Sequence, residues 1–85
     1  MRIDSFSGAA ADLKPRERNA DNVLAVLAKS PRVSTWDMSE LAWLRNSISD
    51  LQRRGLIERA DEPYPWCRYV LTGAGRAALH PAPDQ

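Results

Sequence analysis

The stretch from Leu41 to Arg59, LAWLRNSISDLQRRGLIER, constrains the chain more than any other. Leu41, Leu44, Ile48 and Leu51 recur at steps of three and four, which sets one apolar stripe on one face of a helix. Gly55 ends the run, as suits a left-handed residue just past a helix C-terminus. Arg53 and Arg54 fall in the last turn, where cations complement the helix dipole. The opposite face carries Arg45, Asn46, Ser49 and Arg53. Arg and Asn are the side chains best shaped to bond base edges bidentately in a major groove. The stretch therefore reads as a recognition helix over about 42–54. An amphipathic helix with a merely solvated polar face is the plainer reading of the same pattern.

The flanking segments predict the rest of one small domain. Residues 1–14 have no sustained period and read as a mobile arm, with Ile3 and Phe6 as the pair able to dock. A helix is expected from about Pro15 to Lys29, its broad apolar face made by Ala20, Val23, Leu24, Val26, Leu27 and Ala28. Ser30-Pro31 stops it, because the residue before proline avoids the helical region. Val33 suits a very short strand. Thr35 is a candidate N-cap for a short second helix with Met38 and Leu41 inward. No glycine marks the turn that must follow near Leu41 to Trp43, and a second register starts the recognition helix at Ser39. Trp36 and Trp43 are expected to pack edges of the core. Trp43 alternatively touches sugar-phosphate or a partner protein.

Beyond Gly55, Leu56 to Arg59 and Cys67 to Leu71 read as the strands of a hairpin. In the second, Tyr69 and Leu71 share one face, and Arg68 and Val70 the other. Ala60 to Pro65 is the loop between them. Thr72 caps a last helix, Gly73 to Leu79, with Gly73 and Gly75 as its flexible start. Residues 80–85 form a proline-rich tail expected to be disordered. The domain is thus 15–79, α+β and mainly α.

Composition narrows the function classes. In 85 residues there is one cysteine and one histidine, which leaves no disulfide framework and no metal cluster. No apolar run is long enough to span a membrane and no signal peptide is evident, so a cytoplasmic location is expected. Twelve Lys and Arg against eleven Asp and Glu leave a formal charge of +1. A DNA binder must neutralise phosphate, so distribution matters: Arg45, Arg53, Arg54 and Arg59 gather in the central stretch. Catalysis is not expected. His80 and Cys67 have no partners placed by motif, and GAGRAAL lacks the third glycine and the strand-helix-strand length of a dinucleotide site. No cofactor is implied.

DLQRRGLIER followed by YVLTGAGRAAL resembles the winged helix-turn-helix transcription regulators, the superfamily that includes MarR- and ArsR-like repressors. Leu51, Gly55, Leu56, Ile57, Leu71, Thr72, Gly75 and Arg76 stand where that pattern has its leucine, glycine, Leu-Ile and Leu-Thr-x-x-Gly-Arg residues. The resemblance covers roughly 22–79 and suggests a bacterial or phage origin. It implies three helices, a two- or three-stranded β-wing and a short C-terminal helix, binding double-stranded DNA. By position, Arg45, Asn46 and Ser49 would read bases. Arg53, Arg54, Thr35 and Ser34 would contact phosphate, and Arg59 and Arg68 would flank the wing. A homodimer would read two half-sites and support a small core. The acidic loop Asp61-Glu62, with Tyr64 and Trp66 between prolines, supports a second class of function: a protein-binding module using Tyr64, Trp66 and Trp43. The plainer reading of Trp66 is a cover for the open end of the core.

Overall fold

A computed structural model describes residues 9–79. The order is α1 (Ala20–Lys29), β1 (Arg32–Ser34), α2 (Thr35–Glu40), α3 (Ala42–Arg53), β2 (Ile57–Ala60), β3 (Trp66–Leu71) and α4 (Gly73–Leu79), preceded by 3-10 turns at Ala10–Asp12 and Pro15–Glu17. This is an α+β fold, mainly helical, with a small three-stranded antiparallel sheet in the order β1-β3-β2. Its core joins Val23, Leu24, Val26 and Leu27 of α1 to Leu44, Ile48 and Leu51 of α3, with Val33, Ile57, Cys67 and Tyr69 from the sheet and Leu79 from α4. No helix among the described residues is long and apolar enough to cross a membrane.

The first helix is shorter than its sequence pattern suggests. Pro15 opens a separate 3-10 turn, and α1 begins only at Ala20. Its N-cap is Asn19, whose side chain accepts from the Asn22 N–H at 2.8 Å. Asn22 is itself buried, and its Nδ2 donates to the Glu17 carbonyl at 2.9 Å, which pins the preceding turn to the helix. Ala28 is exposed and forms no part of the apolar face.

The boundary of the arm at residue 14 also moves. Ala10 and Leu13 belong to the core, and Leu13 is among the most deeply buried side chains. Arg18 fixes this approach by donating from Nε to the Leu13 carbonyl at 3.0 Å. Ile3, Phe6 and the 80–85 tail lie outside the described residues.

The helix pair α2 and α3 is joined by Leu41 alone, which ends one helix and starts the next. The register beginning at Ser39 is not adopted. Ser34, not Thr35, caps α2, its hydroxyl accepting from the Asp37 N–H at 3.0 Å. After α3, Gly55 takes φ +75°, where a side chain would be strained. Leu56 N–H then reaches back to the Leu51 carbonyl at 3.0 Å.

The two halves of the DLQRRGLIER and YVLTGAGRAAL pattern meet in space. Thr72 donates its hydroxyl to the Gly55 carbonyl at 2.7 Å and accepts from Gly75 N–H at 3.1 Å. Its own N–H reaches the Leu56 carbonyl at 3.0 Å. Gly75 is no flexible start: a Cβ there would collide with the Leu56 carbonyl oxygen. The helix lies against the β2 approach because this residue has no side chain.

Candidate nucleic-acid interface

Burial of Leu44, Ile48 and Leu51 turns the other side of α3 outward. Asn46, Ser49, Gln52 and Arg53 are exposed on it. Gln52 was not singled out by the apolar stripe, yet it stands three residues beyond Ser49 and so shares its face. It bonds bases as well as Asn does.

Arg45 is committed elsewhere. Its Nη1 donates to the Met38 and Ser39 carbonyls at 2.9 and 3.1 Å. Those carbonyls end α2, where helical partners run out. With one residue between the helices and no side-chain cap on α3, the guanidinium holds the corner. Arg45, though exposed, is thus engaged as a clamp between α2 and α3.

Arg53 and Arg54 share one counter-ion, each 3.0 Å from an oxygen of Asp50. Their combined charge is offset by one unit, though the Arg53 side chain stays 79% exposed. Exposed pairs of this kind contribute about 0–1 kcal/mol, so phosphate competes readily for either arginine.

Arg59 and Arg68 do not flank one surface. Strand side chains alternate between faces. Arg59 pairs in register with Tyr69, and its Nη2 lies 3.7 Å from the Cys67 Sγ, on the core side of the sheet. Arg68 points to the outer face. There it stands opposite Arg32 across β1 and β3, with Glu62 reaching both arginines at 3.0 and 3.8 Å. The Glu62 carboxylate is therefore turned inward, and the loop presents less acid than its sequence suggests.

The tryptophans separate into three environments. Trp43 is half-buried against the core, with the Arg18 guanidinium 4.8 Å from its ring centroid. It is a packing residue, and its Nε1 has no hydrogen-bond partner. Trp36 does not pack the core at all, being 67% exposed. Trp66 lies on the outer face under Arg32, 4.7 Å from its ring centroid, and does not close the core. Trp36, Tyr64 and Trp66 are the large exposed apolar side chains of the described residues. Thr35 N–H donates to the Pro65 carbonyl at 2.9 Å, and Ser34 is the register partner of Trp66. Thr35 and Ser34 thus sit beside the hairpin loop, both half-buried.

Among the described residues no group of His, Cys, Asp or Glu is arranged to hold a metal ion. Comparison with protein-family models, curated proteins and solved structures finds no match to this chain.

Proposed function

We propose that the chain is a winged helix-turn-helix domain that binds double-stranded DNA as a small transcription regulator, with α3 in the major groove. The observation that carries this reading is the outward face of α3. Asn46, Ser49, Gln52 and Arg53 align on one solvent-facing strip while the opposite strip is core. The α2–α3 pair is joined by a single residue and clamped by Arg45, which supports reading it as a helix-turn-helix. The β2–β3 hairpin is the wing. Asn46, Ser49 and Gln52 read base edges, Arg53 and Arg54 contact phosphate, and Arg45 positions the helix. A single domain spans one short half-site, so two copies read half-sites about one helical turn apart.

The test is fluorescence anisotropy of labelled duplexes across a salt series. Asn46→Ala and Gln52→Ala each lose about 1–3 kcal/mol of preference for the favoured sequence. Arg53→Ala weakens all duplexes alike and lowers the salt slope. Arg45→Ala weakens binding without changing which sequence is preferred. Undiminished preference in both Asn46→Ala and Gln52→Ala rules out α3 as the reader.

The exposed aromatics favour a second reading, a protein-binding module. Tyr64 is 85% exposed and Trp36 67%, and aromatic side chains are enriched at interfaces. On this reading Trp36→Ala and Tyr64→Ala abolish partner capture and leave duplex binding intact.

A further inference from the structure

Two arginines directly opposite each other on neighbouring strands repel. Arg32 and Arg68 are such a pair, on the outer face of β1 and β3. In the free chain Glu62 lies between them, 14% exposed, while the arginine side chains remain 51% and 44% exposed. The carboxylate is thus tucked in and the guanidinium groups still face solvent. The 3.8 Å contact to Arg68 is beyond hydrogen-bond reach. The Arg32 guanidinium lies over the Trp66 ring, 4.7 Å from its centroid.

Beside this pair runs an open groove of about 460 Å³, bounded by Ala9, the Lys29–Pro31 segment, Trp66 and the two arginines. Lys29 adds a third cation to its rim. A guanidinium pair across an open groove matches the geometry of a phosphoryl group, whose oxygens accept paired N–H donors. We infer that the Arg32–Arg68 pair is a phosphate-binding site, occupied in the free chain by the Glu62 carboxylate as an internal competitor.

The site lies on the sheet face away from Cys67, Tyr69 and the core, so it does not depend on α3 or on the proposed reading of bases. The exposed ion pair is a weak hold, which leaves Glu62 displaceable. The ligand chemistry is a phosphate mono- or diester. Its source is either a free phosphate compound or the backbone of a nucleic acid.

The experiment is titration of the full chain with inorganic phosphate, followed by tryptophan fluorescence, with Trp66→Phe as the blank for the other two tryptophans. Because Arg32 rests on Trp66, loading of the pair changes the Trp66 signal. A saturable response is expected, lost in Arg32→Ala and Arg68→Ala. Glu62→Gln tightens it by about fivefold, the upper end of what one exposed ion pair is worth. A parallel titration with a short duplex separates the sources. Saturation by inorganic phosphate assigns a free phosphoryl ligand, and a response to duplex alone assigns a backbone phosphate. The inorganic phosphate arm involves no residue of α3, so failure of the α3 reading would not remove this one. Two results overturn the inference: no saturable response to either probe, or Glu62→Gln gaining no affinity while its circular dichroism stays native. Glu62 would then serve only to neutralise the arginines.

Discussion

β3 is held at its two ends by joints of different chemistry. At the Leu71 end, Thr72 bonds the Gly55 carbonyl, the Leu56 carbonyl and the Gly75 N–H, and Gly75 lies against the Leu56 carbonyl oxygen. At the Trp66 end, Glu62 joins Arg32 and Arg68, and Arg32 covers Trp66. The first joint uses short hydrogen bonds and close backbone packing, whose loss orphans polar groups at about 1–3 kcal/mol. The second uses exposed charges worth about 0–1 kcal/mol. The difference divides the labour: one end fixes the fold, and the other can exchange partners without unfolding it.

The sharpest way to break this contrast is Gly75→Ala. The added Cβ meets a backbone oxygen, which no rotamer change relieves. A cost of about 3 kcal/mol is expected, the upper end for overpacking, measured by urea unfolding. A loss under about 1 kcal/mol would show that α4 slides freely and that the joint is loose. Next in size, Thr72→Val keeps the shape but removes the hydroxyl that serves Gly55 and Gly75. It should cost about 1–2 kcal/mol. The matching change at the other end, Glu62→Gln, should cost at most about 1 kcal/mol. Equal costs for the two would erase the distinction.

The contrast also explains what could be read from sequence. The stripe of α3, the stop at Gly55 and the Thr72 cap are local patterns, set within one turn of helix or one hairpin strand. The short strand at Val33 follows from the same kind of signal, whereas the α2–α3 division stays open between two registers in the sequence because no glycine marks the turn at Leu41. Leu13 was illegible because it is a single apolar residue among charged neighbours, with no period to mark it. Its burial comes from joining a core built by residues far along the chain. Asn19 displaces Pro15 as the helix start because the turn at Pro15–Glu17 is closed by its own Lys14–Glu17 bonds. The role of Arg45 depends on how short the turn at Leu41 is. Glu62 reads as a repulsive acid in a loop until Arg32, thirty residues earlier, is brought beside it. Gln52 was legible by helical spacing alone, but counting only arginines and asparagines passes over it.

Between the two joints lies Tyr69, buried on the core side with Cys67, and the exposed Arg59 is its register partner on β2. Burial raises its phenol above the ordinary 10.0, Cys67 raises it further, and the Arg59 guanidinium partly offsets both. A raised value means the fold prefers the protonated phenol. The unfolded chain gives up that proton near its ordinary value, before the folded chain does. The contribution is therefore complete below pH 10.0 and is lost as pH rises through the folded value. This is the smallest effect expected, because near neutral pH both states keep the proton and stability does not vary with pH through this group. In a Tyr64→Phe background, absorbance at 295 nm follows Tyr69 alone and should show its inflection above 10.0. The urea midpoint should fall with pH more steeply there than in the Tyr64→Phe, Tyr69→Phe double variant, and the two slopes should agree at lower pH. Arg59→Gln removes the one offsetting charge and should move the inflection higher still. An inflection at the ordinary value would mean that water reaches the phenol, and that the strand between the joints opens more readily than either end.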